Sequence, residues 1–153
     1  VTEGAAQTVL TAKDLINDDT PLMTMNSDQL VEWDVVDLFE DCKRFDALIP
    51  CFYGEGNAWS YARCGQDGYV EEVAEKKQIS EYATAGYYYW SKGSDFVKYA
   101  EQMIEDNSRT NGEFYVAPVY NWAIKDGKKI GVFMVDKLHS LGTPEDLKEY
   151  LNG

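Results

Sequence analysis

Leu22-Met23-Thr24-Met25-Asn26-Ser27-Asp28-Gln29 is the stretch on which the fold turns. A short run with apolar residues on both alternating faces reads as a strand covered on both sides, as in a sheet with helices above and below. The run stops on a polar cluster that holds one carboxylate. In open α/β sheets, ligands sit outside the carboxyl ends of the strands, which places Asp28 at that rim. A single carboxylate there suits Mg²⁺, which takes one or two carboxylates and leaves its other positions to water and phosphate oxygens. The stretch points to phosphate chemistry, although a turn or N-cap aspartate fits the same pattern.

Working outward, Ala5, Val9, Ala12 and Ile16 recur at helical spacing, and Asn17-Asp18-Asp19 ends that helix. On the other side, Trp33-Asp34 opens a helix with Asp34 as N-cap and Asp37 in the first turn; its buried face is expected to be Val35, Leu38, Phe39, Cys42 and Phe45. Ala47–Tyr53 reads as a second buried strand. Tyr61–Cys64 and Tyr69–Glu75 read as a hairpin around Gln66-Asp67-Gly68, and Thr84–Trp90 as one aromatic-rich strand. Ser94 is expected to cap a helix with Phe96, Val97, Ala100 and Met103 inward. A further stripe runs from Val116 to Ile124, with Gly127 at its C′ position. Ile130–Val135 is a buried strand. Thr143-Pro144-Glu145-Asp146 is a helix start with Leu147, Tyr150 and Leu151 on the buried face. Early strand–helix alternation with a hairpin in the middle predicts one α/β domain, a mixed sheet in a three-layer α/β/α arrangement.

The 153 residues carry 14 Lys plus Arg against 27 Asp plus Glu, a net charge of −13. That balance argues against nucleic acid and against anionic membrane surfaces as partners. No apolar run approaches the roughly 20 residues a membrane span needs, and the first residues show no signal peptide. Cys42, Cys51 and Cys64 are odd in number and lack CxxC spacing, the pattern of reduced thiols in a cytoplasmic protein. The single histidine, His139, leaves no set for a multi-histidine metal site; a packing or surface role is the ordinary reading for it. No Walker loop and no GxGxxG is present.

Three more places could carry chemistry. Glu75-Lys76-Lys77 ends a strand: a lysine there binds phosphate as a point charge and a glutamate accepts hydroxyl hydrogen bonds, while a solvated strand end is the plainer account. Glu113 in Asn111-Gly112-Glu113-Phe114-Tyr115 reads as a helix-start glutamate stabilised by the dipole, or as a hydroxyl acceptor. The aromatic cluster Tyr87–Trp90 reads as core and wall rather than a platform for stacking bases.

Taken in order, the segments Glu3-Gly4-Ala5-Ala6-Gln7, Asn26-Ser27-Asp28-Gln29, Ser60-Tyr61-Ala62, Val73-Ala74-Glu75-Lys76-Lys77, Thr84-Ala85-Gly86-Tyr87-Tyr88, Asn111-Gly112-Glu113-Phe114-Tyr115 and Leu141-Gly142-Thr143-Pro144-Glu145-Asp146-Leu147 resemble the sugar nucleotidyltransferases, the glucose-1-phosphate thymidylyltransferase superfamily. The resemblance covers the whole chain as one domain, 1–153. It implies the nucleotide-diphospho-sugar transferase (GT-A-like) fold and the reaction of an NTP with a sugar 1-phosphate to give an NDP-sugar and pyrophosphate. It further implies that Asp28 holds Mg²⁺, that Gly4 lies near the base, and that Lys76 meets the sugar phosphate. Glu75 and Glu113 would accept sugar hydroxyls, and the strand Thr84–Gly86 would line the sugar pocket.

Two features depart from the family pattern. The opening strand and its Gly-rich loop with a basic residue have no counterpart, so the chain is expected to be the C-terminal portion of the family's domain. On that expectation it turns over negligibly alone, exposes Leu22–Met25 as an apolar edge and forms a homo-oligomer through that edge or through the surface left uncovered. The Asp that many members carry just before the final Gly-Thr is replaced here by Ser140 or Leu141. A nucleotide-sugar glycosyltransferase and a non-catalytic sugar-phosphate-binding domain are the alternatives.

Overall fold

The uncharged segment Ala47–Tyr53 forms the central strand β3 of the computed structural model, which describes residues 1–153. One side of β3 pairs in parallel with β8 (Ile130–Met134); the other side pairs antiparallel with two successive strands, β6 (Tyr82–Thr84) and β7 (Tyr87–Trp90). The sequence predicted one strand over Thr84–Trp90. Its break at Ala85-Gly86 has a cause in β3. Pro50 has no N–H to give to that side, and its carbonyl accepts from Ala85 N–H at 2.8 Å, so the ladder is interrupted there.

The sheet forks at this break. β1 (Leu22–Met25) runs along β7 with Met25 opposite Tyr87, and β4 (Ser60–Cys64) runs along β6 with Tyr61 opposite Ala83. β5 (Val70–Glu75) completes the predicted hairpin with β4. Because β8 occupies the other side of β3, β1 and β4 share one side of the broken strand, and Thr84-Ala85-Gly86 faces the gap between them.

Alternation along the strands sorts the core. Ala47, Ile49, Cys51, Tyr88 and Trp90 face one layer, covered by α1 (Ala5–Leu10), α4 (Gly93–Glu105) and α5 (Tyr120–Lys125). There Trp90 stacks on Tyr120 with ring centroids 4.4 Å apart. Leu48 and Tyr89 face the other layer, where α3 (Val35–Cys42) packs Leu38 and Cys42. Helices on both faces of a mixed sheet make the expected three-layer α/β/α architecture. No helix is long and apolar enough to cross a membrane.

Several local expectations are corrected. The helix expected over residues 5–16 is two, α1 and α2 (Lys13–Ile16). The Thr8 and Thr11 hydroxyls bond the carbonyls of Gly4 and Thr8 and compete with the helical ladder. β1 is covered less than expected: it lies at the sheet's edge, and Met25 is 62% exposed. Asp34 does cap α3, accepting from Val36 N–H and Asp37 N–H, but Val35, Val36 and Phe39 are exposed because only the Leu38–Cys42 side of that helix meets the sheet. Ser94 is not the cap of α4. The first helical N–H groups of Gly93 and Ser94 donate instead to the carbonyls of Thr20 and Asp18.

The stripe from Val116 becomes a 3₁₀ turn (Ala117–Val119) leading into α5, and Gly127 follows α5 with φ +80° as expected. α6 (Pro144–Asn152) starts on Thr143 with a capping box to Asp146, yet its Leu147, Tyr150 and Leu151 are exposed. A two-stranded ribbon of β2 (Gln29–Glu32) and β9 (Lys137–Ser140) was not anticipated.

Candidate active site

The fork brings the quoted segments together from its two sides. On the β1 side, Asn26 N–H donates to Gly86 O at 2.9 Å, and Asn26 Nδ2 donates to Gln29 Oε1 at 3.2 Å. Gly86 has φ +77°, and a Cβ there would stand 1.6 Å from Gln29 Oε1, so a side chain at this position would both strain the backbone and displace Gln29. Asp28 occupies the turn between β1 and β2. Its carbonyl accepts from Leu141 N–H at 2.8 Å, and its Oδ2 lies 3.1 Å from where a Cβ on Gly142 would be. Register and turn chemistry therefore place Asp28 against the Leu141-Gly142-Thr143 loop.

On the β4–β5 side, Ser60 stands opposite Glu75 and its hydroxyl donates to the Glu75 carboxylate. Next to Ser60, the Thr84 hydroxyl is 3.0 Å from Tyr88 OH in the buried layer. Burial raises the Glu75 pKa, opposed by the Ser60 hydrogen bond and the Lys76 charge. Burial also pushes Tyr88 up to about 12, and the nearby Glu75 charge adds to the shift.

Lys76 has φ +53°, a left-handed conformation uncommon outside glycine, and its N–H donates to Trp59 O. Its Nζ lies 5.3 Å from the Tyr115 ring centroid, and its pKa is raised chiefly by the Tyr115 hydroxyl, with Glu75 and Glu113 contributing. Glu75, Lys76, Glu113 and Tyr115 thus form one group.

Gly4 closes this side. A Cβ on it would stand 2.5 Å from both Phe114 N and Phe114 O, and Phe114 N–H donates to Glu3 O while Phe114 O accepts from Ala6 N–H. Close backbone approach is thus the structural reason for glycine at position 4. Glu113 does not start a helix, contrary to the dipole reading: it closes a tight turn with Thr110, and the 3₁₀ turn begins only at Ala117. Its carboxylate is exposed and has no hydrogen-bond or ion-pair partner in the chain.

No hydrogen bond or ion pair joins Asp28 to Lys76; they stand on opposite flanks of the Thr84–Gly86 segment. His139 is held structurally, with Nε2 at 2.6 Å from Glu32 Oε1 and its ring edge-on to Tyr150. Two concavities, of about 530 and 540 Å³, lie over β9 and α6 and along the outer edge of β5, and the second is lined in part by Glu75.

No cluster of three His, Cys, Asp or Glu side chains is present to cage a metal. The Asp28 carboxylate itself is exposed and unpartnered, and the Ser140 hydroxyl stands at the same loop, 4.0 Å from the Gly142 Cβ position. One free carboxylate fits an ion that draws its other ligands from water and phosphate, and would not suit one that needs an all-protein cage.

Ser60, Tyr88 and Tyr115 are given no part beside Glu75 and Lys76 by the sequence, because only register and packing connect them to those residues. The left-handed φ of Lys76 is likewise visible only in the backbone, and such residues gather at functional sites.

Residues 1–151 match the nucleotidyl transferase family along almost the whole chain. The chain belongs to that family. No curated protein matches it in sequence. Among solved structures, it is similar to the nucleoside-diphosphate-sugar pyrophosphorylase of Vibrio cholerae RC9, with a TM-score of 0.82 and 22% identity, over 99% of this chain and 66% of that one. It is also similar to a UDP-glucose pyrophosphorylase complexed with UDP-glucose, with a TM-score of 0.77 and 17% identity over 99% of this chain and 62% of the other. A third is a Bacillus anthracis protein assigned as a glucose-1-phosphate thymidylyltransferase, in complex with a sucrose, with a TM-score of 0.74 and 18% identity over 97% and 59%. At these identities the likeness is one of fold, and the chain spans somewhat under two thirds of each relative's length.

Proposed function

We propose that the protein serves nucleotidyl transfer from an NTP to a sugar 1-phosphate, giving an NDP-sugar and pyrophosphate. The observation that carries this reading is the fork. It sets an unpartnered carboxylate, Asp28, on one flank of Thr84–Gly86, and a carboxylate–ammonium–carboxylate group, Glu75, Lys76 and Glu113, on the other. A sugar phosphate offers hydroxyl donors to the carboxylates and an anion to the ammonium. In the reaction, an oxygen of the sugar phosphate forms a bond to the α-phosphorus, and the bond from that phosphorus to the β-phosphate oxygen breaks. Such transfers need positioning and charge neutralisation more than covalent help. Lys76 would hold the attacking phosphate, Glu75 and Glu113 the hydroxyls, Thr84–Gly86 the ring, and the Gly4 turn would stand near the base. A Mg²⁺ ion held at Asp28 would neutralise phosphate oxygens. Family membership favours this reading over a glycosyltransferase.

Substrate binding and turnover separate in this chain. It contains no Gly-rich loop with a basic residue for a triphosphate, so these 153 residues alone are expected to bind a sugar 1-phosphate and to release pyrophosphate negligibly. The exposed Val36 and Phe39 of α3 and the free outer edge of β1 support self-association of the chain. Calorimetric titration with glucose 1-phosphate, free glucose and inorganic phosphate tests the site. Binding of the sugar phosphate above both fragments, lost in Lys76→Ala, is the expected result. Equal binding by Lys76→Ala would overturn the assignment.

A further inference from the structure

Arg109 lies outside every segment that carries the functional reading, yet its guanidinium is engaged on every side. Nε donates to Asn107 Oδ1 at 2.7 Å, Nη1 donates to Gly112 O at 3.0 Å, and Nη2 donates to Glu3 Oε2 at 3.2 Å. The face of the group lies 4.1 Å from the Phe114 ring centroid. Two of the three acceptors flank the candidate site: Glu3 precedes Gly4, and Gly112 precedes Glu113.

The held segment is a tight turn. Asn111 and Gly112 have φ of +49° and +83°, and Thr110 and Glu113 exchange backbone hydrogen bonds of 3.0 and 2.9 Å. An Asn-Gly pair prefers this hairpin geometry, so the turn's shape is set locally and its neighbours fix where it sits. The fixing contacts are Phe114, whose N–H and carbonyl bond Glu3 and Ala6, and Arg109, which sits on both. An exposed ion pair to Glu3 contributes little by itself. The planar fork is what matters, because it bonds a carbonyl, an amide oxygen and a carboxylate at once in fixed directions.

We propose that Arg109 is a positioning residue that ties the Thr110–Glu113 turn, and with it the backbone that carries Glu113, to the Gly4 turn, so that the sugar-side and base-side walls move as one body. The inference rests on the functional reading above only for what Glu113 binds. The locking itself is independent of that reading.

Two arms test it. In hydrogen exchange, Arg109→Lys keeps the charge and removes the fork. The amides of Ala6 and Phe114 are expected to exchange roughly tenfold faster, the effect of losing a charge-assisted hydrogen bond, with β3 and α4 unchanged. Glu3→Gln, which removes only the charge, is expected to stay within about twofold. Unchanged protection of Ala6 and Phe114 in Arg109→Lys, or an equal loss in Glu3→Gln, overturns the proposal. In the binding arm, with glucose 1-phosphate as probe, Glu113→Gln is expected to weaken binding roughly tenfold in the wild-type background and less than about twofold in Arg109→Lys. Equal losses in both backgrounds overturn the coupling. A wild-type chain that does not bind the probe defeats the functional reading, and the exchange arm still decides the role of Arg109.

Discussion

Replacing Gly86 with alanine attacks the fork directly, and its cost can be worked from the structure. At φ +77° an alanine backbone costs about 1–2 kcal/mol. Its Cβ would stand 1.6 Å from Gln29 Oε1, 2.8 Å from Gln29 Cδ and 2.9 Å from Asn26 Nδ2. The Gln29 side chain must leave, and its 3.2 Å hydrogen bond from Asn26 goes with it, a further ~0.5–1.5 kcal/mol. The expected total is about 2–3 kcal/mol, a substantial share of the ~5–15 kcal/mol that holds an ordinary domain.

Gly56 and Gly68 supply the control. Their φ values are +86° and +82°, and nothing lies within 4 Å of a Cβ at either, so alanine there carries only the backbone part. Urea denaturation of the three variants separates conformational strain from the contact with Gln29. Measured within the Gln29→Ala background, where the hydrogen bond from Asn26 is already gone, Gly86→Ala should cost no more than Gly56→Ala. The reasoning fails if Gly86→Ala costs no more than the two controls, or if its cost is the same with and without Gln29.

Two further outcomes can be checked in the same way. Because burial raises the Glu75 pKa above its unfolded value, the folded state holds the proton more tightly. The stability this contributes is present below the unfolded pKa and is lost as pH rises through the folded one. Glu75→Gln should therefore be at least as stable as the parent at pH 7, with the difference vanishing near pH 4 in urea midpoints; a variant clearly less stable at pH 7 would refute the burial argument. Asn121 replaces a neighbouring strand at the outer edge of β5, accepting from Val73 N–H at 2.9 Å and donating to Val73 O at 2.7 Å. Asn121→Leu leaves both groups of a buried residue unpaired and should cost about 2–3 kcal/mol in denaturant unfolding; a loss under about 0.5 kcal/mol would mean water replaces the amide without penalty.

The elements legible in the sequence are those whose signal is local. Ala47–Tyr53 is uncharged throughout, Asp34 caps by its own side chain, and Thr143-Pro144-Glu145-Asp146 fixes the start of α6 within one turn. What failed depended on partners. In Thr84–Trp90 only Gly86 marks a possible break, and the missing N–H that interrupts the ladder belongs to Pro50 on another strand. The ribbon of β2 and β9 has only four residues on each side, too few for periodicity to separate from loop. Phe39, Leu147 and Leu151 fit an apolar helical stripe, and only the packed structure leaves them exposed. The same division holds at the site. Asp28, Glu75, Lys76 and Glu113 stand out by residue type and by the company of their motifs, but their grouping into two flanks needed the register that sets Ser60 opposite Glu75 and Asn26 against Gly86.

The charge of the site bears on what it selects. The chain carries −13 overall, but at physiological ionic strength charges beyond about 8 Å are largely screened. On the proposed function, a ligand phosphate at Lys76 would meet that ammonium and the nearby carboxylates of Glu75 and Glu113. Two carboxylates against one ammonium do not favour a bare phosphate. Charge alone cannot be the basis of recognition there. A carboxylate accepts hydrogen bonds from hydroxyls and can accept none from an ionised phosphate oxygen, which supports the proposal of a ligand that carries both on one rigid ring. Glu75 sharpens the point. Its burial disfavours the charge that hydroxyl recognition needs, and only the Ser60 hydroxyl and Lys76 oppose that cost in the free protein. A sugar hydroxyl donating to Glu75 would supply the stabilisation that burial removed. Holding the carboxylate partly desolvated beforehand makes that hydrogen bond stronger than one offered by an exposed glutamate, and it makes a ligand lacking the hydroxyl correspondingly poor.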